Sequence, residues 1–197
     1  MRTGRKLLMG NIWKYFLVAV ISIWVWSGVF TSLGQIKDNQ RLTIGVYNAT
    51  CDTQQLRNEI AQKLPELTQQ EILELYVDDL YHRPNQTYAS EVLTAQILQS
   101  DLLIMPRSLL DQIDMTIYFP ELPVALQSDT DYVANGVHYG ILLKAGSLFS
   151  KHCEAKEDYF LLLAPNSVNL GGVLEKGEPE DDAALQIVKY LTREGMQ

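Results

Sequence analysis

The chain holds only two cysteines and three histidines in 197 residues, and that scarcity closes several chemistries at once. No Cys-x-x-Cys, no His-x-x-His and no other tight ligand cluster occurs, so no metal site and no cofactor is assigned. Ser108 and Ser167 lack the Gly-x-Ser-x-Gly elbow of hydrolases. Gly171-Gly172 lies outside any Gly-x-Gly-x-x-Gly setting and has no P-loop lysine. His82, His138 and His152 are scattered. His152 precedes Cys153, but sequence neighbours rarely have the geometry that a nucleophile and its base require. No catalytic residue is assigned, and a non-enzymatic protein is expected. Internal repeats and low-complexity tracts are absent as well.

Positive charge is scarce after the first turns of chain. All 24 acidic residues lie from Asp38 onward, against 12 basic ones from Lys37 onward, so this part carries about −12. A domain so acidic is a poor nucleic-acid binder and is repelled by anionic lipid headgroups. The first 14 residues are the reverse, with Arg2, Arg5, Lys6, Lys14 and no acid.

Charge of either sign is missing from residues 15–36, a run of 22 residues. About 20 apolar residues in a helix span a ~30 Å hydrocarbon core, and four positive charges before the run keep that side cytoplasmic. Trp13, Tyr15, Trp24 and Trp26 are aromatics of the kind that anchor at headgroups. The expected organisation is a cytoplasmic N-terminus at 1–14, a transmembrane signal anchor at 15–36, a linker at 37–41 and an extracytoplasmic α/β domain at 42–197. The expected address is therefore the cell membrane, single-pass, with the bilayer as a partner through residues 15–36. Two other readings of the run are a cleaved signal peptide, with Ser32-Leu33-Gly34 as its small-residue site, and a buried core helix. No cysteine follows the run directly, which excludes a lipoprotein.

Cys51 and Cys153 both fall in the acidic part. An oxidising compartment permits a disulfide there, and two unpaired thiols are the alternative. Asn48-Ala-Thr50 and Asn85-Gln-Thr87 match the glycosylation acceptor pattern.

Periodicity predicts a strand over 42–47, then a helix over 54–64 capped by Asp52 and stopped by Pro65. A second strand is expected over 72–80, a helix over 91–99 after Ser90, and a third strand over 101–105 closed by Pro106. This β-α-β-α-β order with short connections is the signature of a parallel sheet covered by helices. Further on, 108–113 reads as a helical turn, 118–124 as a Pro-broken loop, 137–143 as a strand and 144–156 as loop. The all-apolar run 159–164 is a strand. A glycine-rich turn with Gly171, Gly172 and Gly177 precedes a final helix, started by the acids of 179–182 and buried through Ala184, Leu185, Ile187, Val188 and Leu191.

The strand "LTIGVYN", the strand "DLLIM" after a helix, the "YGILL" strand, "YFLLLAPNS" and the terminal helix occur in that order. Together they resemble the first lobe of a type II periplasmic solute-binding protein, as kept in short membrane-anchored, uncharacterised proteins of Gram-positive bacteria. The resemblance implies a three-layer α/β domain with a mostly parallel mixed sheet. It departs from the family where the second lobe belongs, since only residues 144–158 separate the crossing strands. With no second wall to bury a solute, a one-lobed platform that contacts a membrane or cell-surface protein is expected, with a reduced solute-binding or ligand-sensing protein as the alternative. In that topology the returning strand runs antiparallel to the first, which implies a Cys51–Cys153 bridge. Ligand-facing residues at the carboxyl ends of the strands would be Tyr47, Asn48, Asp78, Asp79, Arg107 and Ser108. The loop around Tyr118, Phe119, Leu122 and Pro123 either docks a partner or caps its own core.

Overall fold

The computed structural model describes residues 13–27, 37–68, 71–81, 89–170 and 183–192. The chain divides into two units, Met1–Lys37 and Asp38–Gln197. In the first, residues 13–27 form a helix, α1. Among the described residues, no helix is long and apolar enough to cross a membrane. The physical reason is length: the 15 helical residues of α1 rise about 22 Å, short of a ~30 Å hydrocarbon core. The expected transmembrane anchor at 15–36, the bilayer contact through it, the single-pass membrane address and the extracytoplasmic placement of 42–197 are therefore corrected. Residues 28–36 of the expected span lie outside the described residues.

The second unit is a mixed α/β fold. Its strands are β1 (Arg41–Tyr47), β2 (Thr50–Cys51), β3 (Glu74–Leu80), β4 (Leu102–Pro106), β5 (Tyr132–Ala134), β6 (Val137–Leu142), β7 (Cys153–Glu154) and β8 (Tyr159–Leu163). The helices are α2 (Thr53–Leu67), α3 (Ala89–Gln99), α4 (Arg107–Leu110), α5 (Met115–Tyr118), α6 (Leu148–His152) and α7 (Ala183–Thr192). Six strands form one sheet in the order β3-β1-β4-β8-β6-β5, while β2 and β7 make a separate two-stranded ribbon. β1 pairs in parallel with β3 and β4, whereas β4–β8, β8–β6 and β6–β5 are antiparallel. The sheet is thus mixed with antiparallel pairs in the majority, which corrects the expectation of a mostly parallel one. Sequence order shows that βαβ units come first, but it does not show that β8 returns between β4 and β6.

Alternation of side chains builds two cores from one sheet. Leu42, Ile44 and Val46 of β1, Leu102 and Ile104 of β4, and Leu161 and Leu163 of β8 pack with Leu56 and Ile60 of α2, Phe149 of α6 and Ile187 of α7. On the opposite face Tyr47, Leu103, Met105, Phe160 and Leu162 pack with Leu93 and Ile97 of α3, Leu109 and Leu110 of α4, and Met115 of α5. Because both faces are covered, β4 and β8 read as unbroken apolar runs with every residue buried.

Gly45 lets three elements meet. A Cβ at that position would lie 2.6 Å from Leu80 Cδ1, 3.1 Å from Leu103 Cδ2 and 3.2 Å from Ser100 Oγ. Asp52 caps α2 by accepting from the backbone N–H of Gln55 at 2.9 Å. Pro65 does not stop that helix. It sits in the last turn, where one lost N–H costs one bond, and Thr68 N still donates to Leu64 O at 3.1 Å. The loop expected over 144–156 instead contains α6 and β7. The hairpin β5–β6 turns on Asn135 and Gly136, whose φ values of 54° and 81° suit a tight primed turn. The glycines at 171, 172 and 177, the acids of 179–182, His82 and Asn85 lie outside the described residues.

Candidate functional site

The carboxyl ends of β1 and β4 point to the same end of the sheet, where the strands of an open α/β sheet present ligand-facing residues. Tyr47 closes β1 with its ring fully buried, and its hydroxyl donates to Gln96 Oε1 at 2.8 Å. That burial pushes the phenol well above its ordinary pKa. Asn48 follows in the left-handed region at φ 51°. Its N–H donates to Leu80 O at 3.0 Å and its carbonyl accepts from Tyr159 Oη at 2.8 Å. The Tyr47 side chain and the Asn48 backbone are thus held by the fold.

Arg107 and Ser108 open α4 directly after β4. The Arg107 N–H donates to Asp158 O at 2.9 Å, and its guanidinium lies 3.6 Å from Asp158 Oδ2. Ser108 is gripped twice by one carboxylate. Its N–H donates to Glu157 Oε2 and its hydroxyl to Glu157 Oε1, each at 2.8 Å. Asp78 and Asp79 stand apart, exposed on β3 in register with Gly45 and Val46 of β1. With β1 between β3 and β4, the acid pair lies two strand spacings to the side of β4, roughly 10 Å, and Arg107 is a further three residues along the chain from Ile104, the residue in register with Val46 and Asp79. Partial desolvation raises the Asp79 carboxyl above its ordinary pKa. Tyr47–Asn48 and Arg107–Ser108 thus close the neighbouring strands β1 and β4, while Asp78 and Asp79 stand on β3 on the other side of β1.

Cys51 and Cys153 are joined, with sulfurs 2.03 Å apart, and they face each other across the β2–β7 ribbon. Beside them Glu59 of α2 receives Lys151 Nζ at 2.9 Å and His152 Nε2 at 2.7 Å from α6. His152 thus faces a carboxylate, and its neighbour Cys153 is already bonded. The Lys151 hydrogen bond, helped by that of His152 and opposed by desolvation, holds the Glu59 carboxyl below its ordinary value. A carboxylate depressed on folding stabilises above its unfolded pKa of about 4.3, and that stability is lost as pH falls through the lower folded value. Glu59→Gln is expected to cost on the order of 0.5–1 kcal/mol at pH 7 and less at pH 3. Urea unfolding at both pH values checks this; a cost that is the same at both rules out the linkage.

The opposite, amino end of the strands carries a polar knot that sequence reading missed. Asp101, 8 % exposed, accepts from the backbone N–H of Thr43 at 2.8 Å, from Ser167 Oγ at 2.5 Å and from Asn169 Nδ2 at 3.0 Å. Asn169 Nδ2 also donates to Arg41 O at 2.8 Å. The partners lie 58 to 68 residues away in the chain, so no local spacing announces them. The only local hint was polar residues directly flanking the apolar runs of β4 and β8. Beside the knot opens a cleft of about 570 Å³ lined by Asp38, Arg41, Gln99, Ser100 and Val168 among others. Among the described residues, no buried side-chain nitrogen or oxygen lacks a hydrogen-bond partner, so the knot is closed upon itself.

His138 of β6 contacts Asp131 Oδ2 at 3.2 Å. Phe119 and Leu122 are buried, so the Pro-fixed loop caps its own core, while Val124 beyond it is exposed. Among the described residues, no three His, Cys, Asp or Glu side chains group as metal ligands would. Comparison with protein-family models, with curated proteins and with solved structures finds no match to this chain.

Proposed function

We propose that the Asp38–Gln197 unit is a non-enzymatic interaction module that meets a protein partner through its surface, the partner presenting a basic face. One observation carries this reading. The groups that would hold a ligand at the carboxyl ends of β1 and β4 are already engaged by the chain, above all Ser108, whose N–H and hydroxyl both bond Glu157. Small-molecule sites bury most of their ligand in a preformed cavity, and the cleft beside Arg41 lies at the opposite end of the strands. Charge supplies the partner's chemistry: 24 acidic residues from Asp38 onward, with Asp78 and Asp79 exposed on β3, attract a basic surface.

The test uses the full chain with a photo-crosslinking side chain in place of Tyr81, which is exposed and adjacent to the acid pair. One reproducible protein adduct is expected in cells, lost when Asp78 and Asp79 are replaced by lysine. A thermal-shift screen of amino acids, sugars and nucleotides runs alongside. A compound that raises Tm by about 5–10 °C near 100 times its Kd would overturn the reading in favour of ligand sensing. The cleft beside Arg41 would then be the first place to map it.

A further inference from the structure

The connection from α6 to β8 is the segment that stands where a solute-binding protein would carry its second lobe, and its two ends are fixed very differently from its middle. Leu148 and Phe149 of α6 are buried on one side, and Tyr159 and Phe160 of β8 are buried on the other. Between them Glu154, Ala155, Lys156 and Glu157 are all exposed, and Cys153 alone is buried. This short segment reaches from the end of β1 to the start of α4. It is tied to the first by the Cys51–Cys153 bond and the pairing of β7 with β2, and to the second by the carboxylate of Glu157 on Ser108. The Asp52 N–H donates to His152 O at 3.0 Å, so the same corner closes the entry to α2.

We propose that residues 153–157 are a thiol-controlled strap across the carboxyl ends of β1 and β4, closed by the disulfide and released by a dithiol reductant. The chemistry is ordinary exchange. A thiolate of the reductant attacks Sγ of Cys51, the less buried of the two cysteines, and the Cys153 thiolate leaves. The second thiol of the reductant resolves the mixed disulfide, so the reductant is oxidised and both cysteines end as thiols carrying its two protons. Once the covalent tie is gone, the strap has no buried side chain except Cys153 and keeps only the two-residue pairing of β7 with β2 and the solvent-exposed hydrogen bond pair to Ser108. Segments held in this way open locally before the core does. This inference is independent of the interaction reading above.

The experiment reads trypsin cleavage after the exposed Lys156 in the full chain, oxidised or reduced with dithiothreitol and desalted under nitrogen. Hydrogen exchange of residues 41–47, 102–106 and 159–163 is followed for the first minute of labelling. Reduction is expected to speed cleavage after Lys156 at least tenfold while those three strands stay unexchanged. Unchanged cleavage overturns the proposal, and so does exchange of the strands together with the strap, which would mean that reduction opens the whole domain rather than the strap. Ser108→Ala in the oxidised chain is expected to change cleavage by no more than about twofold. An acceleration equal to that of reduction would show that Glu157, not the disulfide, holds the strap.

Discussion

Asp101→Leu is expected to lower the free energy of unfolding by about 3–5 kcal/mol, the cost of stranding buried neutral donors that share one acceptor. The Asp101 carboxylate takes three donors, from Thr43, Ser167 and Asn169, and all three residues are buried. Removing it strands the Thr43 N–H and the Ser167 hydroxyl and one of the two Asn169 amide hydrogens, the other still reaching Arg41 O, each stranded donor costing about 1–3 kcal/mol. The backbone of Asp101 also joins the sheet, through its N–H to Thr43 O at 2.8 Å and its carbonyl to Ala164 N at 3.0 Å. The knot thereby ties the starts of β1 and β4 to the turn after β8. Ser167→Ala, which removes one donor and leaves the carboxylate two others, is expected to cost only about 1 kcal/mol. Urea unfolding of the two variants checks the order. An Asp101→Leu chain that loses under 1 kcal/mol would mean that water enters the site and satisfies the donors.

Replacing both Cys51 and Cys153 by alanine is expected to cost about 4–5 kcal/mol in the chain-entropy description. The bond closes a loop of 102 residues, and the unfolded chain regains that freedom once it is cut. Set against total stabilities of about 5–15 kcal/mol for a domain, the loss is a large share. It should appear as a lower midpoint in urea together with a smaller urea dependence for the wild type than for the variant, because a cross-linked unfolded chain exposes less surface. The reduced wild type should match the double variant. Two cysteines that alkylate in the native chain without any reductant would remove the basis for both effects.

The strands β1, β4 and β8 were legible because sheet burial on two faces leaves a signature in composition. Residues 42–47, 102–105 and 159–163 are nearly unbroken apolar runs, and both clusters of the core draw on them. Strand direction was not legible to the same degree. The resemblance implied that 159–163 runs antiparallel to the first strand, as it does, but nothing local in "YFLLL" says that it inserts between β4 and β6, and the sheet as a whole was expected to be mostly parallel. The hairpin at Asn135-Gly136 carried a turn signal that a reading by apolar runs passes over, because Tyr132–Ala134 is only three residues long. α6 is five residues and falls below the length at which periodicity speaks. The charge-free run at 15–36 spoke loudly about composition but not about how far a continuous helix extends. At the candidate site, Ser108 and Arg107 could be placed by their position after β4. Their capture by Glu157 and Asp158, about 50 residues on, is a tertiary fact that no spacing encodes.

β8 lies in the middle of the sheet although it is the last of the six strands to leave the ribosome. Until residues 159–163 emerge, β4 and β6 each present an open edge of unpaired N–H and C=O groups, and β4 is apolar on both faces. Such edges invite pairing with other nascent chains. A polypeptide stalled near residue 150 would carry most of its apolar residues and none of the strand that seals them. Ribosome-bound intermediates of that length are the ones a chaperone would need to shelter until β8 has emerged and paired.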